Sequence, residues 1–501
     1  MLPRFAALLT GLTFVLLAPT VAGAAQFSGI SAGGRATCAV KANGTLYCWG
    51  DGREGQLGRV QANVAKVPVR VVGTYDSRMV SSGTDYGCQI VERGLQIGVS
   101  GIVACFGGND SGQIGNGQTS RAQYPQELRA PDGLVKVAAG TRTTCVLTGG
   151  GDVWCWGDNA VGQFGDASDS GIASTTPVHV GAVHGMVDLA VSEKHVCGIR
   201  GVGGGLVCWG WAEAGRIGID SPVLVRPTVV PGFEQGVAQV AVGLAHTCVL
   251  RSDSTVWCFG QNDHGQVGIG GAPSPAVPTP TKVEGLPPMI KIAAGGLSTC
   301  GVDTGGGAWC WGDGHQGKLG NGTEADSSVP VHVSDVTDVA QITVGDNHVC
   351  VLTSAGAPYC WGSNRFGQIG NGDRTGAGVY VRTPTRVVDT PLSRATFVPR
   401  ALQSFPTGTA GGVVELRDFV MRKVSTRYAC PSKATVMVTA KGRTARRNVT
   451  VTRGSSPEIC RVSGSPALAK NTLDATVAVI SVRGAHLRSA SEKLRALRAA
   501  D

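Results

Sequence analysis

Sixteen cysteines are the residues of this 501-residue chain whose type and spacing could do chemistry. Fourteen fall into seven units, and the second cysteine of each unit is followed by an aromatic residue and then glycine. Five units hold their cysteines ten residues apart: Cys38 and Cys48, Cys145 and Cys155, Cys248 and Cys258, Cys300 and Cys310, Cys350 and Cys360. Cys88 and Cys105 are farther apart, and Cys197 and Cys208 exceed the common spacing by one. A zinc site of the usual kind needs close pairs such as Cys-x-x-Cys, and the chain has none. The units also leave no spare thiol to act as a nucleophile. The expected chemistry is disulfide formation within each unit, with Cys430 and Cys460 as an eighth pair near the C-terminus.

The elements that must position these cysteines are short strands. In the third unit, Val135–Gly140, Thr144–Leu147, Val153–Trp156 and Pro177–Val180 are runs of β-branched, aromatic and small residues separated by Gly, Asp or Asn. Four strands in each period of roughly fifty residues make one propeller blade, and the paired cysteines fall on the second and third strands. Nine intervening residues require an odd loop, such as a three-residue turn closing on glycine, and Asn43-Gly44 and Gly149-Gly150-Gly151 suit it. Cys197 and Cys208 need an even loop or an additional bulge. The first strands, such as Ile30–Gly33, Val137–Gly140 and Ile342–Gly345, are built of small residues because seven of them converge on one axis. The expected fold is all-β: a seven-bladed β-propeller followed by a small C-terminal β domain.

Three segments are expected. Residues 1–24 read as a signal peptide: Arg4 supplies the positive start, Phe5–Leu17 the apolar run, and Ala22-Gly23-Ala24 the small-residue cleavage site. Residues 25–397 form the propeller and 398–501 a small basic β-rich domain. That last domain is expected to have strands near 411–424, 434–440, 448–452 and 475–482, and a terminal helix capped by Ser489 and Glu492 and ending in Arg495 and Arg498. Residues 400–501 carry 18 Lys+Arg against 6 Asp+Glu, a balance of +12 within the whole chain's +9. The remainder is therefore −3, which argues against nucleic-acid binding by the repeats. Lys441, Arg443, Arg446, Arg447 and Arg453 offer contact with an anionic envelope polymer or membrane surface. With cysteine pairs behind a secretion signal, the protein is expected outside the cytoplasm, secreted or periplasmic.

Other chemistries are weaker. His195, His246 and His348 each stand two residues before a first cysteine, in units four, five and seven, where capping a turn is the expected role. Asp51, Glu54, Asp110, Asp158, Asp263 and Asp313 are scattered through loops, where Asp stabilises turns. No Gly-x-Ser-x-Gly elbow or His-Glu-x-x-His helix is present, so no catalytic, cofactor-binding or metal-ligating residue is assigned and no enzyme is expected. Gly312–Lys318 imitates a phosphate-binding loop, but Leu319 stands where the Ser or Thr belongs. Trp49, Trp156, Trp209, Trp311 and Trp361, with Phe106 and Phe259, are expected between blades rather than in a light-sensing cluster.

After each Cys-aromatic-Gly comes a second signature: Gly55-Gln-Leu-Gly58, Gly112-Gln-Ile-Gly115, Gly162-Gln-Phe-Gly165, Gly215-Arg-Ile-Gly218, Gly265-Gln-Val-Gly268, Gly317-Lys-Leu-Gly320 and Gly367-Gln-Ile-Gly370. Together with the preceding Ala-Gly-x-x-x-x-Cys, these resemble the regulator of chromosome condensation repeat family over roughly residues 26–390. The resemblance implies a seven-bladed propeller, and the cysteine pairs resemble secreted bacterial members. It also raises two precedents, guanine-nucleotide exchange and inhibition of a secreted enzyme, whose contact residues are not carried over because no segment of this sequence is matched to them. The function expected is protein–protein interaction through loops on one face, with no cofactor. The variable segments Arg59–Val67, Asp166–Thr176, Ile269–Thr279, Asn321–Val329 and Asn371–Thr383 are the candidates. The segment Pro384–Val388 is expected to return and complete the first blade.

Overall fold

The computed structural model describes residues 26–388 except 60–62, 75, 93–101, 129, 166–170, 220, 222–223 and 374–379, and then the backbone of six strands between 416 and 495. Two compact units divide at Asp389 and Thr390. The first contains seven four-stranded antiparallel sheets, each built from strands consecutive in sequence. Blade one, for example, uses Phe27–Ala32, Ala36–Lys41, Leu46–Asp51 and Val64–Arg70 from the axis outward. The second and third strands are buried on both faces, because neighbouring blades cover them from either side. Each inner strand contacts the inner strand of the next blade, and that of blade seven contacts that of blade one.

The ring closes differently from expectation. Pro384 lies in the strand Tyr380–Arg386, which pairs with Pro358–Ser363 and completes blade seven. Blade one has its own outer strand, Val64–Arg70, paired with Leu46–Asp51. Seven units are followed by seven outer strands, so none is left to cross the seam. What joins blade seven to blade one is a set of side-chain and loop hydrogen bonds, and no strand is exchanged.

The second unit holds one six-stranded antiparallel sheet. Its strands are Leu416–Arg422, Lys433–Ala440, Arg443–Arg453, Ile459–Gly464, Asp474–Val482 and Ser491–Arg495. The expected terminal helix is a correction here: Ser491–Arg495 pairs as a strand with Asp474–Ala478. Pairing along a sheet edge outweighs the weak local preference of a capping motif. The strand Ile459–Gly464 was not expected from the sequence.

Candidate functional site

The cysteines are placed by strand register. In all seven blades the two residues are directly opposed on the second and third strands. Their sulfurs lie at bonding distance, with Cα atoms 4.0–4.1 Å apart. The odd loops close on a positive-φ residue, Gly44 and Gly151 among them. Cys197 and Cys208 use an even loop, in which the Arg200 amide donates to the Gly205 carbonyl and Gly203 and Gly204 both have positive φ. Cys430 falls outside the described residues, and so does the pairing expected for it with Cys460.

The Gly-Gln-x-Gly loops explain both their glycines and the tryptophans. Both glycines have positive φ in every blade, a conformation costly for residues with a Cβ. In every blade but the third, the second also abuts the aromatic ring of the next blade: a Cβ on Gly370 would lie 2.6 Å from Trp49 Nε1. Four indole N–H groups donate across the joint to the middle of the preceding blade's loop. Trp49 reaches Gln368, Trp156 Gln113, Trp209 Gln163 and Trp361 Lys318, all at 2.8–2.9 Å from the carbonyl oxygen. The five tryptophans are fully buried. The loop is locked from within: Asn109, Asn159, Asn262 and Asn364 each accept from the backbone N–H five residues on. Lys318 is committed to structure as well, 2.6 Å from Asp313 Oδ2 and donating to the Asp346 carbonyl at 3.1 Å.

The histidines are bolts between blades, which corrects the expected turn-capping role. His348 Nε2 lies 2.7 Å from Thr37 Oγ1, His195 Nε2 2.8 Å from Thr247 Oγ1, and His246 Nε2 2.9 Å from Thr299 Oγ1. Each threonine hydroxyl donates onward to a loop carbonyl of the histidine's own blade, namely Gln368, Arg216 and Gln266. The hydroxyl proton is therefore spent, and the network assigns the Nε2–H neutral tautomer to each imidazole. Burial pushes His246 and His348 down to about 3 and His195 well below the ordinary imidazole range. His195 also meets Ser192 Oγ at 2.8 Å through Nδ1, so it alone of the three caps a turn too. Tyr86 fills the same place in blade two, its hydroxyl 2.9 Å from Thr144 Oγ1 and donating to the Thr143 carbonyl.

The remaining joints carry the complementary choice. Ala36 faces Gly87, Thr143 faces Val196, and Ser298 faces Val349 at the same two repeat positions. Thr143 and Ser298 turn their hydroxyls to carbonyls of their own blades, Asp158 and Asp313. A partner with a hydroxyl thus coincides with His or Tyr, and a partner without one with a small residue. This pairing runs between units, so reading one unit at a time hides it.

Antiparallel order puts the inner-to-second and third-to-outer connections on one face of the ring. At the axis on that face, Gly33, Gly83, Gly140, Ser192, Gly243, Gly295 and Gly345 line a cavity of ≈ 90 Å³. A Cβ on Gly345 would lie 2.1 Å from the Gly33 carbonyl, so close approach of the blades fixes these glycines. The cavity is small beside the roughly 300 Å³ of ordinary ligand pockets. Burial raises the pKa of the Asp346 carboxyl, which lines it. Farther out, Phe366 is half-buried beneath three guanidinium groups, Arg53 at 4.8 Å, Arg35 at 5.4 Å and Arg365 at 5.7 Å. Arg53 is also paired with Asp51 at 2.6 Å, and Lys194 lies 5.2 Å over Trp211. Of the variable segments, Ile269–Thr279 and Asn321–Val329 are described throughout, and the other three only in part. Asp51, Asp158 and Asp313 each accept from the backbone N–H two residues on, the turn role expected of them.

Residues 94–405 match the RCC1-like domain model, and residues 27–56 and 43–89 match the regulator of chromosome condensation (RCC1) repeat. The chain belongs to the RCC1-like domain family. An RCC1-like propeller is what the strand order describes, and the solved structures agree in fold. Human WBSCR16 superposes with a TM-score of 0.59 at 21% identity, covering 66% of this chain and 87% of that one. Prp20p from Saccharomyces cerevisiae superposes with a TM-score of 0.56 at 22% identity, covering 63% and 80%. Among curated RCC1-repeat relatives, the ultraviolet-B receptor UVR8 of Arabidopsis thaliana is 29% identical over 314 residues, 61% of this chain and 69% of that one. Human E3 ubiquitin-protein ligase HERC2 is 28% identical over 303 residues, 58% of this chain but 6% of the ligase. Among the described residues no helix is long and apolar enough to cross a membrane.

Proposed function

We propose that this RCC1-like propeller is a binding scaffold working outside the cytoplasm, and that a protein partner docks on the loop-bearing face above the seam between blades seven and one. The observation that carries this reading is the cluster of Arg35, Arg53 and Arg365 around Phe366. Arginine and aromatic side chains are the residues enriched at interface hot spots, and an arginine set of this kind favours an acidic partner surface. Support for the compartment comes from the seven cysteine pairs at bonding distance, a pattern typical of oxidising surroundings. The basic segment from residue 400 is assigned to an anionic envelope polymer or membrane surface on its charge. Affinity isolation from the native extracytoplasmic fraction tests the face: wild type should retain a partner that the triple variant R35A/R365A/F366A loses. Equal recovery by both would refute the assignment. Intact mass of the exported protein should show no alkylatable thiol and a chain beginning near residue 25.

A second reading rests on resemblance to Prp20p, whose structure was described together with its binding to Gsp1p and histones. Exchange activity would require accelerated nucleotide release from a small GTPase. A basal release rate removes that reading and leaves the scaffold intact.

A further inference from the structure

We propose that blade three carries a site for a divalent first-row cation, with zinc the fitting member, built from Asp152, His179 and His184. The three come from three segments of the blade. Asp152 leaves the second-to-third hairpin just before the strand Val153–Gly157, and His179 ends the outer strand Ser174–His179. His184 lies on the connection to blade four, which starts at Met186. Register holds the first two together, since His179 is the cross-strand partner of Trp154. The Trp154 and His179 rings pack with centroids 4.9 Å apart, which fixes the imidazole plane.

The spacing is that of ligands and not of hydrogen-bond partners. Asp152 Oδ1 lies 3.8 Å from His179 Nε2 and 3.6 Å from His184 Nδ1, and all three ligand atoms fall within 4.8 Å of one another. Two ligands bonded tetrahedrally to zinc at about 2.0–2.1 Å stand about 3.3 Å apart, so the two Asp152 distances need a contraction of a few tenths of an ångström, and the two imidazole nitrogens, within 4.8 Å, at most about 1.5 Å through side-chain rotation. None of the three side chains makes a hydrogen bond among the described residues, which leaves their lone pairs available. Two imidazoles and one carboxylate suit zinc, and the half-exposed rim leaves the fourth position to water or to a partner's side chain.

A second cluster in the same ring shows the alternative. His264, Asp313 and Asp326 also converge, but their atoms are already used. Asp326 takes His264 at 2.8 Å and the Gly314 N–H at 2.8 Å, and Asp313 takes Lys318 at 2.6 Å. That cluster is an ion-pair network, and its hydrogen bond to Asp326 raises the His264 pKa. Blade three is distinct in sequence as well: Gly205, Thr255, Gly307 and Ala357 occupy the Asp152 position in blades four to seven.

The test is zinc titration of the untagged, EDTA-dialysed full-length protein, read by calorimetry and by cobalt absorption. One ion per chain is expected, with cobalt bands of the intensity of a tetrahedral site. H184Q and D152N should each weaken binding by about 100-fold or more, since even loss of an outer partner reaches that range. H264Q should bind as wild type. Melting of each variant in EDTA should match wild type, because the altered side chains are largely exposed, and this separates a lost ligand from a lost fold. Unchanged affinity in H184Q and D152N, or no saturable binding by wild type, would overturn the site. Neither result bears on the loop face of the proposed scaffold.

Discussion

The seam between blades seven and one and the joint between blades six and seven differ in one respect: the chain runs through the second and not through the first. Their polar contacts differ too. Across the seam, the Ala32 N–H donates to Thr343 Oγ1 at 3.0 Å, Gln341 donates to the Ser28 carbonyl at 2.9 Å, and the Phe27 N–H donates to the Gly356 carbonyl at 3.2 Å. The His348–Thr37–Gln368 relay and the Trp49 indole bond are added to these. At the joint, the Val339 N–H donates to the Gly306 carbonyl at 3.0 Å, the Gly322 N–H to the Arg382 carbonyl at 3.1 Å, and Arg382 pairs with Glu324, while the Trp361 indole and Lys318 ammonium also cross; but Ser298 bonds within its own blade and Val349 offers nothing polar. Among the described residues, what the seam has and the joint lacks is therefore the buried His–Thr relay and the side-chain bonds of the inner strands. Closure without a shared strand is achieved by repeating an ordinary inter-blade bolt at the place where the ends meet.

The largest expected effect is acid sensitivity of the bolted joints. His195, His246 and His348 are held neutral in the fold, whereas in the unfolded chain they take up a proton near pH 6.5. Stability from these sites is complete above the unfolded pKa and is lost as pH falls from about 6.5 toward 3, by roughly 1.4 kcal/mol per pH unit for each histidine. Unfolding free energies from denaturant titration at pH 7.5 and pH 5 should therefore differ by about 6 kcal/mol in total. A flat profile between those pH values would break the comparison at its base.

Next in size is truncation of a bolt. H348A removes the seam relay, opens a buried void and leaves Thr37 with one partner fewer, an expected loss of about 2–4 kcal/mol. S298A, at the corresponding place in the unbolted joint, should cost about 1 kcal/mol or less. Equal losses would mean that the seam is not special. The smallest effect is a gain. Gly243 and Gly345 make room for His246 and His348, and Gly295 stands in the same relation to Ser298. S298H/V349T should install a fifth bolt worth about 1 kcal/mol, measured as a raised denaturation midpoint.

Much of this ring was legible in the chain. Cysteines ten residues apart fixed the hairpins and their register, and small residues in the first strands marked the axis. What was hidden depended on neighbours distant in sequence. Pro384 looked like a strand without a sheet because the units were counted from their cysteines and not from their inner strands. His348 looked like a turn residue because its partner, Thr37, lies at the other end of the domain. Aligning the units on their first cysteine and comparing each with its successor would have exposed the His–Thr coincidence. The Asp152 cluster offered less, since its histidines occupy positions that hold unrelated residues in the other blades.

Hydrogen exchange at neutral pH tests the closure most directly. Amides of the inner strands Phe27–Ala32 and Val339–Val344 should exchange as slowly as those of Val237–Val242, deep within the continuous part of the ring. Selective fast exchange in the two seam strands, with the rest protected, would show a propeller that opens where its ends meet and would contradict a seam held by bolts.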